Sequence, residues 1–274
     1  MRVLVTGAGG RIGRILRPRL AAPGRVLRLL DAAEQEPAAP GEAVELHTGD
    51  LTDAAVTASA CAGVDAVLHL AAIATEDAWS ELVRVNIDGT RTVLEAAREA
   101  GVGRVILASS IHAAGYYSRP GAHPAGRAGA ATPMGPDGVP ASVPPRPDSY
   151  YGVTKATVEA LGSLYADRFG MVVVALRIGA CFPRPPADHA HMWLSPDDAA
   201  RLVEACLRTD ATGFRVLHGV SANTGRWLSV AEGAEIGYHP VDDSAAYPEG
   251  GAPDGPAEEL LGGYFTRKPL GRRA

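Results

Sequence analysis

Tyr151 and Lys155 stand four residues apart in a segment where Val158, Leu161 and Tyr165 recur at helical spacing. That places phenol and ammonium one turn apart on a single helical face. An ammonium so close favours the phenolate, and a phenol that titrates at about 10 in water becomes an acid/base usable at neutral pH. Ser109 and Ser110 close an apolar run of strand length, so a hydroxyl is expected at the carboxyl edge of a sheet, where it could hold a reacting oxygen. Such a trio suits proton transfer at an alcohol or a carbonyl.

A second constellation lies near the start of the chain. Thr6-Gly7-Ala8-Gly9-Gly10-Arg11-Ile12-Gly13 follows the first apolar run and opens a helix-like segment. Gly7 would allow a tight turn, Gly10 the close approach of backbone to a pyrophosphate, and Gly13 the packing of helix on strand. The first amides of that helix, with its dipole, would favour the same anion. A glycine-rich turn by itself is equally a plain strand-to-helix connection, so the context decides. Asp31 ends the second run, 24 positions after Gly7, where a carboxylate accepts hydrogen bonds from the ribose of NAD and repels the 2'-phosphate of NADP. Arg28 and Arg11 are the cations able to soften that choice. Asp50 with Leu51, and Leu70, Ala71 and Ala72 after His69, follow further strand-like stretches, at the edge where a doubly wound sheet presents ligand sites. Asp50 is alternatively the cap of the next helix.

The elements that must position these residues alternate along the chain. Strand-length apolar runs occur at Val3 to Thr6, Val26 to Leu30, Ala66 to Leu70, Val105 to Ala108 and Val172 to Leu176. Helical periodicity links most of them, and is clearest from Trp79 to Ala100 and from Tyr151 to Phe169. This pattern predicts a parallel sheet covered on both faces. Pro18 should shorten the helix that begins at Arg11, and Ser195-Pro196 followed by Asp197-Asp198 signals another helix start, with the two aspartates as caps. Residues 118–147 hold eight prolines and five glycines and read as a loop between the Ser strand and the Tyr helix, either a substrate lid or a surface excursion.

With 46% apolar residues among 274 and a net charge of −5, the chain can bury one substantial core. Nucleic acid is not an expected partner, because neutralising phosphates takes clustered Lys and Arg. The single basic cluster, Arg267, Lys268, Arg272 and Arg273, reads as a frayed, solvated tail. No run approaches the roughly 20 apolar residues that span a bilayer, and no signal-peptide pattern is present, so no membrane is expected. Cys61, Cys181 and Cys206 lie far apart without a C-x-x-C spacing, which fits a reducing cytoplasm. His189 and His191 beside Asp188 invite a metal site, yet histidines at i and i+2 in a Pro-rich loop are more often surface or substrate contacts, and no metal is expected.

Taken together, TGAGGRIG, Asp50-Leu51, HLAA, Asn86 with Gly89, the two serines and YGVTK resemble the extended short-chain dehydrogenase/reductase family. The resemblance implies a Rossmann-type α/β fold, a doubly wound parallel sheet with a small C-terminal substrate-binding lobe. It implies Tyr151 as acid/base, Lys155 on the nicotinamide ribose, and Ser110 orienting the substrate oxygen. Asn86, Ser109 and Ile178 would adjoin the cofactor, and a homodimer would form through the helices at 79–100 and 151–169. The single domain of residues 1–274 would divide into a core at 1–180 with its loop at 118–147, a substrate lobe at 181–250 and a tail at 251–274.

Within that family, SSIHAAGYY, YYGVTKATVEALGSLYADRFG, LRIGACFP and HGVSANTGRW are similar to the uronate dehydrogenases, which oxidise C1 of a hexuronic acid with NAD. The departures fall at the substrate. Ser110 is followed by Ile111 and His112 where the uronate enzymes have Asn and His, and Ala74 and Ala180 stand where polar residues are expected. The stretch from Pro185 to Trp193 contains no arginine to clamp a carboxylate, and a bidentate clamp demands position as well as charge, which Arg184 upstream would have to supply. The expected contacts are Ala74, Thr75, Ser110, Ile111, His112, Tyr151, Ala180, His189 and Trp193, around a neutral or partly apolar alcohol or cyclic hemiacetal. Two rival readings are an epimerase or dehydratase with transient oxidation, and a non-catalytic NAD-binding protein.

Overall fold

The apolar runs become parallel strands. A computed structural model describes residues 1–119, 133–247 and 259–273. Its main sheet contains β1 (Arg2–Thr6), β2 (Val26–Asp31), β3 (Val44–Thr48), β4 (Ala66–His69), β5 (Arg104–Ser110), β6 (Val172–Ile178) and, after the two-residue pair β7 (Ala180–Cys181) and β8 (Trp193–Leu194), β9 (Phe214–Gly219). The order is β3-β2-β1-β4-β5-β6-β9, with every pairing parallel. The chain starts in the middle, builds outward to β3, then returns to the other side of β1. The switch point between β1 and β4 is where such sheets open a crevice at their carboxyl ends.

Alternate residues of β1 enter opposite layers, as strand pleating requires. Val3 and Val5 pack with Leu27 and Leu29 beneath α1 (Arg11–Leu16) and α6 (Pro196–Arg208). Leu4 packs with Leu30, Val67 and Val105 on the other face, beneath α2 (Ala54–Cys61), α4 (Gly89–Glu99) and α5 (Tyr150–Phe169). Both faces are buried, which is why these strands read as continuous apolar runs rather than alternating ones.

Four features differ from the sequence reading. First, the helix predicted from Trp79 to Ala100 is α3 (Trp79–Leu82), a π-helical stretch over Val83–Asp88, and α4. Second, α6 and β9 belong to the main core, so the sheet does not end near residue 180. Third, the cap of α6 is Ser195, whose hydroxyl accepts from the Asp198 amide. Asp198 is fully buried and its carboxylate instead holds the amides of Val241 and Asp242. Fourth, the C-terminal segment is no frayed tail: Leu261 N donates to Tyr117 O at 2.9 Å and Gly262 N to Gly115 O at 2.8 Å, laying residues 259–273 beside the end of β5.

Pro18 does shorten the first helix, which ends at Leu16. Of the loop at 118–147, residues 120–132 lie outside the described residues. The rest is pinned to the 226–232 segment, through Val139 N to Trp227 O at 2.7 Å and Ser229 N to Val139 O at 2.9 Å.

Candidate active site

The crevice at the switch point is a cavity of about 520 Å³, within the usual range for small-molecule sites. Gly7, Gly10, Arg11, Ile12 and Gly13 form one wall. Gly7 has φ +69°, and a Cβ there would stand 2.6 Å from the Ala71 backbone, so only glycine lets the two carboxyl ends meet. A Cβ at Gly13 would overlap the Ala8 backbone, so the close approach made here is of helix on turn rather than of helix on strand. Gly10 caps α1 without a side chain, leaving the first-turn amides aimed at open space. Leu51, Leu70, Ala71 and Ala72 line the remaining walls together with Asp31.

Asp31 is fixed by two backbone donors, Gly9 N to Oδ2 at 2.8 Å and Ala33 N to Oδ1 at 3.0 Å. Its further lone pairs face the cavity. Arg28 is turned away, donating to Glu45, Ala60 O and Ala62 O, and Arg11 lies over the Phe182 ring at 4.2 Å. A dinucleotide fits this cradle: side-chain-free backbone amides for a pyrophosphate and an anchored carboxylate for a ribose. Asp31→Ser is expected to shift the kcat/KM ratio of NAD over NADP downward by about tenfold or more, about 1.4 kcal/mol, measured with both coenzymes on one substrate. An unchanged ratio would remove Asp31 from coenzyme choice.

At the base of the crevice His69 locks β1 to the neighbouring helix. Its Nδ1 is 2.7 Å from Thr6 Oγ1 and its Nε2 is 3.0 Å from Thr90 Oγ1, whose own proton goes to Asn86 O. Thr90 must therefore accept, and His69 is the Nε2–H tautomer. Burial pushes its pKa down to about 3, so it stays neutral.

A second cavity of about 450 Å³ continues from the first and shares Arg11, Ile12, Leu70, Ala72 and Ala74 with it. Here the sequence trio meets. Tyr151 and Lys155 sit in the first turns of α5, whose start is capped by Ser149 Oγ on Gly152 N. Lys155 Nζ donates to Ala108 O at 2.7 Å and lies 5.7 Å from the centroid of the Tyr151 ring. Ser110, at the end of β5, lines the same cavity, and its side chain acts to lower the pKa of the Tyr151 phenol. Ser109, Ile178, Thr75, Ile111, His112, Ala180 and His189 also line this cavity.

The electrostatics depart from the simple expectation. Burial raises the Tyr151 pKa to about 12, opposed by the Ser110 side chain and reinforced by the charge of Asp148. Burial also lowers Lys155 to about 8. Desolvation is the largest influence on both groups and Lys155 is not among the charges that shift Tyr151, so the phenol form of Tyr151 is favoured.

Three expected site residues lie elsewhere. Asp50 bonds Thr52 and Arg84 and lines neither cavity. Asn86 is buried in the π stretch, where it accepts from Ile73 N and donates to Ile73 O and Thr154 Oγ1. It ties the crevice wall to α5 rather than facing it. Trp193 is 1% exposed, donates to Phe182 O and packs edge-on against Tyr247, which makes it a packing residue.

Other residues came from outside the sequence reading. Leu261, Gly262, Tyr264 and Phe265 of the C-terminal segment line the second cavity, and Phe265 packs on His112 with ring centroids 4.1 Å apart. The fully buried Glu76 accepts from both Tyr151 N at 2.9 Å and Gly271 N at 2.8 Å, joining the catalytic helix to that segment. Glu159, one turn beyond Lys155, receives Ser109 Oγ and a bidentate pair from Arg177.

A parallel sheet with a glycine-turned crevice and a Ser-Tyr-Lys group at its rim defines a nicotinamide-dependent oxidoreductase of the short-chain type. Residues 3–195 match the NAD dependent epimerase/dehydratase family, and the chain belongs to that family. It is 39% identical to a uronate dehydrogenase of Pseudomonas putida, over 97% of this chain and 95% of the relative. It is 38% identical to an L-arabinose 1-dehydrogenase (NAD(P)(+)) of Haloferax volcanii, over 90% and 99%. The crystal structure of a uronate dehydrogenase variant from Agrobacterium tumefaciens complexed with NAD superposes with TM-score 0.86 at 33% identity, covering 99% of each chain. The protein is an NAD-dependent dehydrogenase of this family.

Proposed function

We propose that the protein oxidises the hemiacetal carbon of a neutral cyclic sugar to a lactone, rather than that of a hexuronate. The observation that carries this reading is the second cavity. Its only arginine among the described residues is Arg11, committed to the Phe182 face at the end shared with the cofactor crevice. Arg184 lies outside, over Tyr247 at 5.8 Å. Ala74, Ile111, Ala180, Met192 and Phe265 make the remaining lining largely apolar. A carboxylate buried there would find no arginine to clamp it, because the one other cation of the lining, Lys155, is engaged with Ala108 O and is given to the nicotinamide ribose, and a buried charge without its own partner costs several kcal/mol.

When bound, NAD supplies the hydride acceptor and a positive charge that favours the Tyr151 phenolate. Once the phenolic proton of Tyr151 has left to solvent, the phenolate takes the substrate hydroxyl proton, Ser110 orients that oxygen, and Lys155 holds the nicotinamide ribose. Ser109 and Ile178 border the cofactor, and Thr75, His112 and His189 contact the sugar. Most of the acceleration comes from this positioning and electrostatics. Residues 181–195 and 259–273 serve as the substrate-binding portion. A homodimer through α4 and α5 is supported by Leu164 and Phe169, apolar and 51% and 43% exposed on α5. A cytoplasmic location is supported by three cysteines that are buried and unpaired.

The test is initial-rate NADH formation with neutral pentoses and hexoses against glucuronate and galacturonate. The expected kcat/KM for the best neutral sugar exceeds that of either uronate by about 100-fold, equivalent to about 2.7 kcal/mol. Turnover of a uronate at about 10⁴ M⁻¹s⁻¹ or above, an ordinary enzymatic efficiency, would overturn the substrate assignment. Failure of NADH to accumulate with any substrate would point to transient rather than net oxidation.

A further inference from the structure

Asp148 is a buried carboxylate that the mechanism above leaves without a task. Its side chain is 0% exposed, and it lies just ahead of the catalytic helix. Oδ2 is 2.7 Å from His112 Nδ1, and Oδ1 accepts from Ser149 Oγ at 2.7 Å. Three segments close around it, each with a glycine: Gly115 after β5, Gly152 in the first turn of α5, and Gly262 in the C-terminal segment. A Cβ at Gly115 or Gly262 would overlap the carboxylate, and one at Gly152 would stand 3.1 Å from Oδ1. The backbone has been thinned on two sides to admit this one side chain, while Gly152 lies closest to the carbonyl oxygen of His112, which a Cβ there would overlap.

We infer that Asp148 is the positioning residue of the substrate site, fixing His112 as the Nδ1–H tautomer so that Nε2 presents a hydrogen-bond acceptor to a hydroxyl of the substrate. A carboxylate oxygen facing Nδ1 selects the form that carries its proton there, and in the neutral ring that leaves Nε2 bare. The packing of His112 on Phe265 at 4.1 Å fixes the plane of the ring. His112 lies 5.7 Å from Tyr151, ring centroid to centroid, which places the acceptor near the reacting carbon. A bare imidazole nitrogen bonds a hydroxyl and offers nothing to a carboxylate. The inference therefore rests on the neutral-sugar reading and sharpens it: the sugar must carry a hydroxyl close to its reacting hemiacetal.

Electrostatics gives the test its sign. The charge of Asp148 disfavours the Tyr151 phenolate, so neutralising Asp148 would by that route alone assist proton abstraction. Loss of the His112 tautomer acts in the opposite direction.

The experiment pairs a spectrum with a mutant cycle. Long-range ¹H–¹⁵N spectra of the NAD-bound wild-type protein, with the His112 signal assigned by its absence in His112→Ala, are expected to show the Nδ1–H tautomer. An Nε2–H pattern would overturn the inference, and this readout needs no substrate and no Asp148 variant. In the cycle, Asp148→Asn is expected to lower kcat/KM about 10- to 100-fold with NAD affinity unchanged, and to cost less than about twofold more in the His112→Ala background, because residues acting through one another are not additive. An equal loss in both backgrounds would mark Asp148 as merely structural, and no loss in either would refute it. If every neutral sugar fails to react, the substrate reading falls while the tautomer result stands or fails independently.

Discussion

Tyr151→Phe is expected to lower kcat by about 10³- to 10⁴-fold, the upper range for loss of a positioned acid/base, while NAD affinity changes by less than about threefold. The substitution deletes one oxygen from a side chain that is only 6% exposed and leaves the ring packed. The lost atom is the phenol oxygen, whose titration the Ser110 side chain influences. The crevice walls, the Asp31 anchors and the Lys155 contact with Ala108 O stand apart from it. Binding should therefore survive and chemistry should not. Stopped-flow turnover beside calorimetric NAD titration separates the two, and a kcat within tenfold of wild type would remove Tyr151 from the proton transfer.

Arg177→Ala is expected to destabilise the fold by about 3–5 kcal/mol, the cost of stranding one partner of a buried ion pair. Arg177 and Glu159 have side chains only 2% and 5% exposed. The guanidinium spans both carboxylate oxygens at 2.8 Å and also reaches Val143 O at 3.1 Å. Its removal leaves Glu159 with only the Ser109 hydroxyl. The thermal unfolding midpoint should fall by roughly 5–9 °C for a chain of this size. Replacing both residues, Arg177→Met with Glu159→Leu, should cost less than the single change, because no charge is then left buried. A double variant less stable than Arg177→Ala would show that the pair contributes more than mutual neutralisation.

The parts of this molecule legible from sequence are those fixed by local spacing. Gly7, Gly10 and Gly13 announce the turn because each glycine meets a steric demand within a few residues. Tyr151 and Lys155 share a face because helices place i and i+4 together. Strands buried on both sides declare themselves as apolar runs, whereas β9 went unseen because Arg215 and His218 interrupt it. Burial drives His218 to a pKa of about 3, and Ser229 O satisfies its Nδ1, so a residue that reads as polar is carried buried in the edge strand of the sheet.

What stayed hidden depends on contacts far apart in the chain. Residues 259–273 show no strand or helix periodicity, and their place over the site rests on Gly262 meeting Gly115 and on Glu76 meeting Gly271. Trp193 looked like a pocket wall because aromatic residues serve both purposes, and its bond to Phe182 O decides for packing. Asn86 was read as a cofactor contact from its motif. Its true partners, Ile73 and Thr154, are set by a backbone irregularity that periodicity over 22 residues does not resolve.

That irregularity makes the stretch from Val83 to Asp88 sensitive to length in a way that surface loops are not. Deleting one residue there would restore regular α-helical spacing and rotate the preceding turn by about 100°. The amide of Asn86 would swing off the Ile73 backbone, and the wall between the two cavities would lose its tie to the catalytic helix. Insertions and deletions should therefore be rare at this point in any relative that keeps the same crevice, even where the surrounding amino acids vary freely.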